Sequence, residues 1–124
     1  MALELPPDTL EVAARAVGGR TVLTVAGEVD VYTAPILREQ LDLLADAQLP
    51  GLVVDLSRVE FLDSTGVGVL LGAVKRAHAA GGTLTVCGLR DHPEKIFRIL
   101  GLARILAILP TLADALADEN GARR

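Results

Sequence analysis

The chain is poor in aromatic residues and in clustered positive charge. Only 2% of its 124 residues are aromatic, namely Tyr32, Phe61 and Phe97. So few rings make a stacking platform for single-stranded nucleic acid hard to assemble. The formal net charge is −4 and no stretch forms a basic stripe, although phosphate neutralisation needs clustered Lys and Arg. We therefore expect an aliphatic core and no direct binding of nucleic acid.

The chain also lacks cysteine pairs and long apolar runs. Cys87 is the only cysteine, which excludes an internal disulfide, and we expect it to be a small buried hydrophobe. No apolar run approaches the ~20 residues that span a bilayer. The N-terminus, "MALELPPDTLE", lacks the basic-then-apolar pattern of a signal peptide. These absences predict a cytoplasmic protein that does not insert into a membrane.

The composition that remains is typical of a single globular domain. Hydrophobic residues make up 51% of the chain and charged residues 23%, which is not a disordered composition. The length also fits one domain. We expect this domain to span residues 9–118, between an N-terminal tail at 1–8 and a C-terminal tail at 119–124.

Local signals predict a hairpin followed by a helix. The strand-like segments 10–17 and 20–27 flank the Gly-Gly pair at 18–19, which is typical of a tight hairpin turn. Thr33 is then a candidate N-cap, with Pro35 in the first helical turn. The apolar spacing expected for one helical face follows at Leu37, Leu41 and Leu44.

Strands and helices alternate through the rest of the chain. Apolar or alternating segments predict strands at 52–56, 83–88 and 104–109. Helical spacing and capping signals predict helices from Val67 to Gly81, from Asp91 (with Glu94 completing a capping box) to Gly101, and over 110–118 after Thr111. The resulting order, β-β-α-β-α-β-α-β-α, predicts an α/β domain. Its sheet is mixed and mostly parallel, with an N-terminal antiparallel hairpin and about four helices.

An unusual polar stretch lies where a strand gives way to a helix. Residues 63–66 read "DSTG" after the strand 52–56, and "GEVD" (27–30) follows the second strand. Parallel sheets place functional loops at the carboxyl ends of their strands. The simplest interpretation of "DSTG" is an N-cap without any other task, because Asp, Ser and Thr are all ordinary capping residues.

Enzymatic interpretations of this stretch lack partners. A serine nucleophile needs a base, but His78 lies roughly 20 Å from Ser64 along the same predicted helix, and His92 heads another helix. The motifs G-x-S-x-G, G-x-x-x-x-G-K-[ST] and G-x-G-x-x-G after a strand are absent. Asp30, Asp55 and Asp63 could approach one another, but no His or Cys joins them. We therefore expect that the protein is not an enzyme, and that it has no catalytic residue, no metal and no cofactor.

The remaining interpretation treats Ser64 as the acceptor of a phosphate delivered by another protein. A kinase brings its own ATP, metal and base, so its substrate need only present an accessible, ordered hydroxyl. The N–H groups and positive dipole of a helix N-terminus also accommodate the phosphate product. The added charge of about −1.5 to −2 would oppose binding at a contact surface that already holds Asp63 and Asp30.

Three segments together resemble the STAS-domain anti-sigma factor antagonists of bacteria. They are "GEVDVYTAPILREQL", "LVVDLSRVEFLDSTGVGVLLGAVKRAHAAGGTLTVCG" and "IFRILGL". The most specific parts are D-S-T-G-x-G at the head of a helix and G-E-x-D after the second strand. The resemblance covers roughly residues 10–118 and implies the fold expected above.

The resemblance implies a role for each motif residue. Ser64 matches the phosphorylated hydroxyl of the family motif, and Asp63 matches the acid beside it that orients the loop. Asp30 matches an acid that lies near the phosphorylation site. Thr65 and Gly66 complete the motif, next to the phosphosite, and Thr65 is expected to be structural.

The resemblance also implies partners. Proteins of this kind, when unphosphorylated, bind an anti-sigma factor that is also a serine kinase, and so release the sigma factor. Phosphorylation ends the binding and a serine phosphatase restores it. Two alternatives stay open from the sequence: a STAS subunit of a transporter or stress-signalling scaffold, and a small nucleotide hydrolase.

Overall fold

The structure is a computed structural model that describes residues 9–46 and 51–118. Within these residues, five strands form one sheet in the order β1-β2-β3-β4-β5. The strands are β1 (Leu10–Val17), β2 (Arg20–Val29), β3 (Gly51–Leu62), β4 (Thr83–Cys87) and β5 (Ala107–Leu109). β1 pairs antiparallel with β2, and all other pairs are parallel. The predicted α/β class and mixed sheet are therefore confirmed, whereas both expected tails lie outside the described residues.

In the described part of the chain, four α-helices connect or follow these strands. They are α1 (Ala34–Asp46), α2 (Ser64–Ala79), α3 (Asp91–Ile99) and α4 (Leu112–Ala117), with a short 3₁₀ helix at Leu102–Arg104. Thr111 caps α4 as predicted, because its side chain accepts a hydrogen bond from the backbone N–H of Asp114. None of the helices in the described part of the chain is long and apolar enough to cross a membrane.

The hairpin that opens the domain is confirmed in detail. Gly18 and Gly19 have φ angles of 56° and 80°, and Val17 pairs with Arg20 across the turn. Positive φ at both central residues is what a tight hairpin turn of matching twist requires, and glycine adopts it without steric cost.

The sheet separates two apolar clusters of different size. The larger cluster joins α1, α2 and α3 to the strands, and includes Leu37 and Leu41 of the predicted face of α1. The smaller consists of Val22, Val53, Cys87 and Ala115, which we call the back cluster, and it lies beneath α4. Because neighbouring residues of a strand point to opposite faces, Val22 and Leu23 belong to different clusters.

α4 is fastened over the back cluster by a buried arginine. The guanidinium of Arg20, at the start of β2, donates to the carbonyl oxygens of Ala115 and Asp118. A cation at a helix C-terminus satisfies carbonyls that have no partner in the helix and interacts favourably with its dipole. The short helix is thus held to the sheet by a residue almost a hundred positions earlier in the chain.

The third strand is longer than predicted. The expectation was 52–56, with Arg58 and Glu60 in a loop, but β3 continues to Leu62 and contains both residues. Between Thr24 and Ala26 of β2, the register shifts by one extra residue of β3. β4 pairs with β3 only as far as Asp55. The later part of β3 therefore exposes polar side chains, and its sequence lacks the continuous apolar run that would predict a central strand.

Two expectations near the C-terminus were wrong. The predicted capping box at Asp91 is not formed, since Arg90 occupies the N-cap of α3 and makes no side-chain capping bond. The predicted strand 104–109 is restricted to β5, because Leu102 and Leu106 are both buried four residues apart, across the 3₁₀ helix. A short apolar run fits helical and extended backbone equally well.

Candidate functional site

Asp63 connects β3 to α2 and caps the helix alone. Its Oδ1 accepts hydrogen bonds from the backbone N–H groups of Thr65 (2.9 Å) and Gly66 (3.2 Å). Its backbone is extended, with φ −101° and ψ −176°, as an N-cap requires. Because the carboxylate takes this task, the capping interpretation does not account for the two hydroxyl residues. Ser64 and Thr65 are both exposed in the first turn of α2.

Asp30 organises the second loop in the same way. Its Oδ1 accepts hydrogen bonds from the backbone N–H groups of Tyr32 (2.9 Å) and Thr33 (3.0 Å). Thr33 directly precedes α1, as expected of an N-cap, but its hydroxyl donates to the carbonyl oxygen of Glu28 at 2.7 Å and accepts from the backbone N–H of Asp30 at 2.9 Å. The hydroxyl of Thr33 therefore stabilises the loop before α1 instead of capping the first turn of the helix.

The two loops are joined directly. The backbone N–H of Asp63 donates to the carbonyl oxygen of Val29 at 3.1 Å. Gly66 lies so close to this junction that a Cβ there would stand 2.6 Å from Val29 Cγ1 and 2.7 Å from Leu62 Cδ1. Close packing therefore requires glycine at this position of the D-S-T-G motif. The absence of a side chain lets the first turn of α2 lie against the end of β2.

A groove runs between α1 and α2 beside Ser64. We call it the α1–α2 groove, and it is lined by Val31, Ala34, Pro35, Arg38, Ser64, Thr65, Gly68 and Val69. Among the described residues that line it, Arg38 is the only charged one. The neighbouring apolar side chains are unusually accessible for their type: Val31 is 59% exposed and Tyr32 is 76% exposed. A hydroxyl in an ordered turn therefore adjoins an apolar surface that folding has left uncovered.

The structure brings four of the five expected site residues to one junction and places Asp30 in the adjoining loop. Asp63, Ser64, Thr65 and Gly66 are consecutive at the head of α2, which the hydrogen bond from Asp63 to Val29 ties to the residue before Asp30. Each of the two carboxylates, of Asp30 and of Asp63, accepts hydrogen bonds from backbone N–H groups and so shapes its own loop.

His92 supports this junction and was not expected there. The backbone N–H of Leu62 donates to His92 Nδ1 at 3.2 Å, and the imidazole stacks on Phe61, with ring centroids 4.5 Å apart. His92 thus ties α3 to the last residues of β3, directly before Asp63. Its contacts lie 30 positions away in sequence, so no local spacing could have indicated them.

Asp55, the third acid considered for a cation site, has a structural environment. It is 8% exposed, and its Oδ1 accepts the backbone N–H of Ser57 at 3.0 Å, within the bulge of β3. Burial, and then the charge of Asp55, raise the pKa of the buried Cys87 thiol to about 12. Within residues 9–46 and 51–118, no three His, Cys, Asp or Glu side chains are grouped so that they could hold a metal ion.

Several known proteins are similar to this chain in sequence and in architecture. Residues 11–115 match the STAS domain family. The anti-sigma-B factor antagonist of Listeria monocytogenes is 40% identical over 84 residues, which are 68% of this chain and 74% of the relative. That of Bacillus subtilis is 42% identical over 86 residues, or 69% and 78% of the two chains. The crystal structure of an anti-sigma factor antagonist from Mycobacterium paratuberculosis has a TM-score of 0.85 at 31% identity, covering 90% of this chain and 95% of that one. This chain belongs to the STAS-domain family of anti-sigma factor antagonists.

Proposed function

We propose that this protein is a regulatory binding protein that antagonises an anti-sigma factor, with Ser64 as its switch. The observation that carries the proposal is the exposed hydroxyl of Ser64 in a turn capped by its neighbour Asp63. The turn is held by the capping hydrogen bonds of Asp63, the residue that carries the hydroxyl is exposed, and an uncovered apolar surface lies beside it. A binding protein controlled by modification needs all three.

The unphosphorylated protein binds an anti-sigma factor that is also a serine kinase, and it thereby frees the sigma factor in the bacterial cytoplasm. Val31 lines the groove with Ser64, and Val31, Tyr32 and Ile36, just before and in the first turn of α1, are 59%, 76% and 40% exposed. Burial of such area drives association, and a tyrosine presents a large apolar body with a polar tip. Docking on this surface places the kinase next to its target hydroxyl.

The modification is a phosphoryl transfer in which the partner supplies the reagents. The Oγ of Ser64 forms a bond to the γ-phosphorus of ATP held by the kinase, and the bond from that phosphorus to the β-phosphate oxygen breaks. ADP leaves, and the hydroxyl proton passes to a base of the kinase. The exposed position of Ser64 permits the in-line approach that this displacement needs.

Phosphorylation ends binding while leaving the fold intact. The phosphate brings about −1.5 to −2 charges into a surface where Asp63 and Asp30 already carry carboxylates, so docking of an apolar partner face becomes costly. The N-terminus of α2 stabilises the added anion through its dipole. A serine phosphatase then removes the phosphate and restores the binding form.

The test is capture of the partner from a lysate of the source bacterium, with the wild type, Ser64→Ala and Ser64→Glu as immobilised baits. We expect the wild type to capture an anti-sigma factor kinase and to lose it on addition of ATP, with the phosphate mapped to Ser64 by mass spectrometry. Ser64→Ala should retain the same kinase with ATP present, whereas Ser64→Glu should capture at least ten times less.

Thr65→Ala is the matched control, because Thr65 is the adjacent exposed hydroxyl of the same turn. It should behave as the wild type, including release by ATP. Equal capture of the kinase by the wild type and Ser64→Glu, or a phosphate found only on Thr65, contradicts the proposal.

A further inference from the structure

We propose that Arg38 is the intramolecular partner of the phosphate on Ser64. This inference rests on the proposed phosphorylation of Ser64 and specifies what the phosphate contacts once it is in place. The modified side chain then lies in the α1–α2 groove against the guanidinium instead of extending into solvent.

The first argument is the position of Arg38. It lies on α1 and lines the same groove as Ser64, at the first turn of α2. Arg38 is exposed, so its guanidinium can turn toward either end of the groove. Since Arg38 is the only charged residue among the described residues that line the groove, it is the cation that an anion placed there would contact.

The second argument is that Arg38 has no ion pair with any residue that the structure describes, in contrast to several other arginines. Arg76 pairs with Asp42, Arg90 with Glu60 at 3.5 Å and Arg98 with Glu94 at 3.7 Å. The guanidinium of Arg20 donates to two backbone carbonyls. Within residues 9–46 and 51–118, Arg38 is thus an arginine available to a new anion, without an existing pair to break.

The third argument is the space between the helices. Ser64, Gly68 and Gly72 follow one another at intervals of four residues on α2, so they lie along one side of the helix. A Cβ at Gly68 or at Gly72 would meet nothing within 4 Å. Gly68 and Gly72 therefore add no side chain to this side of α2, and the side chains of α2 that line the groove with Ser64 are those of Thr65 and Val69.

The chemistry of the pair is favourable. A guanidinium matches phosphate oxygens with two parallel N–H donors, which makes this charge-assisted contact stronger than a neutral hydrogen bond. The carboxylates of Asp63 and Asp30 oppose a second negative charge at the junction, so a cation on the groove side favours the phosphate there over a solvent-exposed position. The bound phosphate would cover Val31, Pro35 and Val69, and so mask the apolar groove as well as charge it.

The test uses phosphoserine installed genetically at position 64, so that neither a kinase nor an anti-sigma factor is needed. The second pKa of the phosphate, about 6 in a free phosphoserine, is measured by phosphorus NMR titration. The charged groups around this site are Arg38 in the groove, Asp42 and Arg76, which line the adjoining cavity with Arg38, and the loop carboxylates of Asp30 and Asp63. A guanidinium in contact favours the dianion, so we expect Arg38→Gln to raise this pKa by about half a unit. Arg38→Lys should give an intermediate value.

Arg104→Gln is the matched control, since it removes the same charge from an exposed arginine of the 3₁₀ helix. It should leave the phosphate pKa within about 0.1 unit of the wild type, because screening removes the influence of distant surface charges. Equal values for Arg38→Gln and Arg104→Gln would overturn the proposal. Amide spectra of each variant establish that the fold is retained.

The two proposals fail in distinguishable ways. An unchanged phosphate pKa in Arg38→Gln removes the ion pair but leaves the kinase-dependent capture experiment untouched. Conversely, failure of the capture experiment removes the proposed switch, while a raised pKa in Arg38→Gln would still show that the phosphate meets Arg38.

Discussion

The α1–α2 groove and the back cluster, on opposite faces of the sheet, use their polar groups in opposite ways. In the back cluster, Arg20 is 8% exposed and its guanidinium is committed to the end of α4, while the Cys87 thiol is fully buried. In the groove, Ser64 and Arg38 are exposed, and the glycine at position 68 leaves open space. The back cluster thus holds its polar groups buried, whereas the α1–α2 groove leaves its polar groups exposed to solvent.

Gly66, at the junction of the two loops beside the groove, should be the most sensitive position to test. A methyl group at Gly66 would stand within 2.7 Å of Val29 and Leu62 side chains, and overpacking of this kind destabilises by about 2 kcal/mol. Gly66→Ala should therefore lower the free energy of unfolding in urea by about that amount. A neutral or stabilising effect would show that Val29 and Leu62 can move to make room, and that the junction is packed less tightly than these distances indicate.

The fastening of α4 comes next in size. Arg20→Ala leaves the carbonyls of Ala115 and Asp118 without these donors, and we expect a loss of about 1.5 kcal/mol. Hydrogen exchange should rise selectively in α4. Arg15→Ala, at an exposed position of β1, is the control and should change stability little. Equal effects of the two variants would contradict the role of Arg20.

Gly72, one helical turn beyond Gly68 on α2 and lining the cavity that adjoins the groove, predicts a change of opposite sign. A Cβ at Gly72 meets no atom within 4 Å, and alanine is favoured over glycine inside a helix by about 0.8 kcal/mol. Gly72→Ala should therefore raise the free energy of unfolding by that order in urea denaturation. A loss of stability would mean that the space beside Gly72 is filled in solution, and that this side of α2 is not open.

The smallest effect at neutral pH concerns Cys87. Its pKa is raised from the ordinary value of 9.0 to about 12, first by burial and then by Asp55. The unfolded chain therefore loses this proton at lower pH than the folded one. The contribution to stability is constant below about pH 9 and falls as the pH rises from 9 toward 12. The pH dependence of urea unfolding should be shallower in Cys87→Ala over that interval; identical slopes would contradict burial of the thiol.

The elements with strong local signals were predictable. The Gly-Gly turn, the Thr111 cap and the leucine spacing of α1 each depend on residues within one or two turns of each other. The length of β3 was not, because its second half pairs on one side only and carries exposed polar residues. The predicted cap of α3 was wrong because a capping-box pattern does not determine which residue begins the helix.

The sequence by itself determined the α/β class, the hairpin and the place of Ser64 at the head of a helix, because periodicity, glycine turns and caps act over a few residues. Only the tertiary structure decided that Asp63 alone caps α2, that His92 supports the junction and that Arg38 lines the groove beside Ser64. These relations join residues on different helices and strands. They depend on how the elements pack across the sheet, which no local pattern encodes.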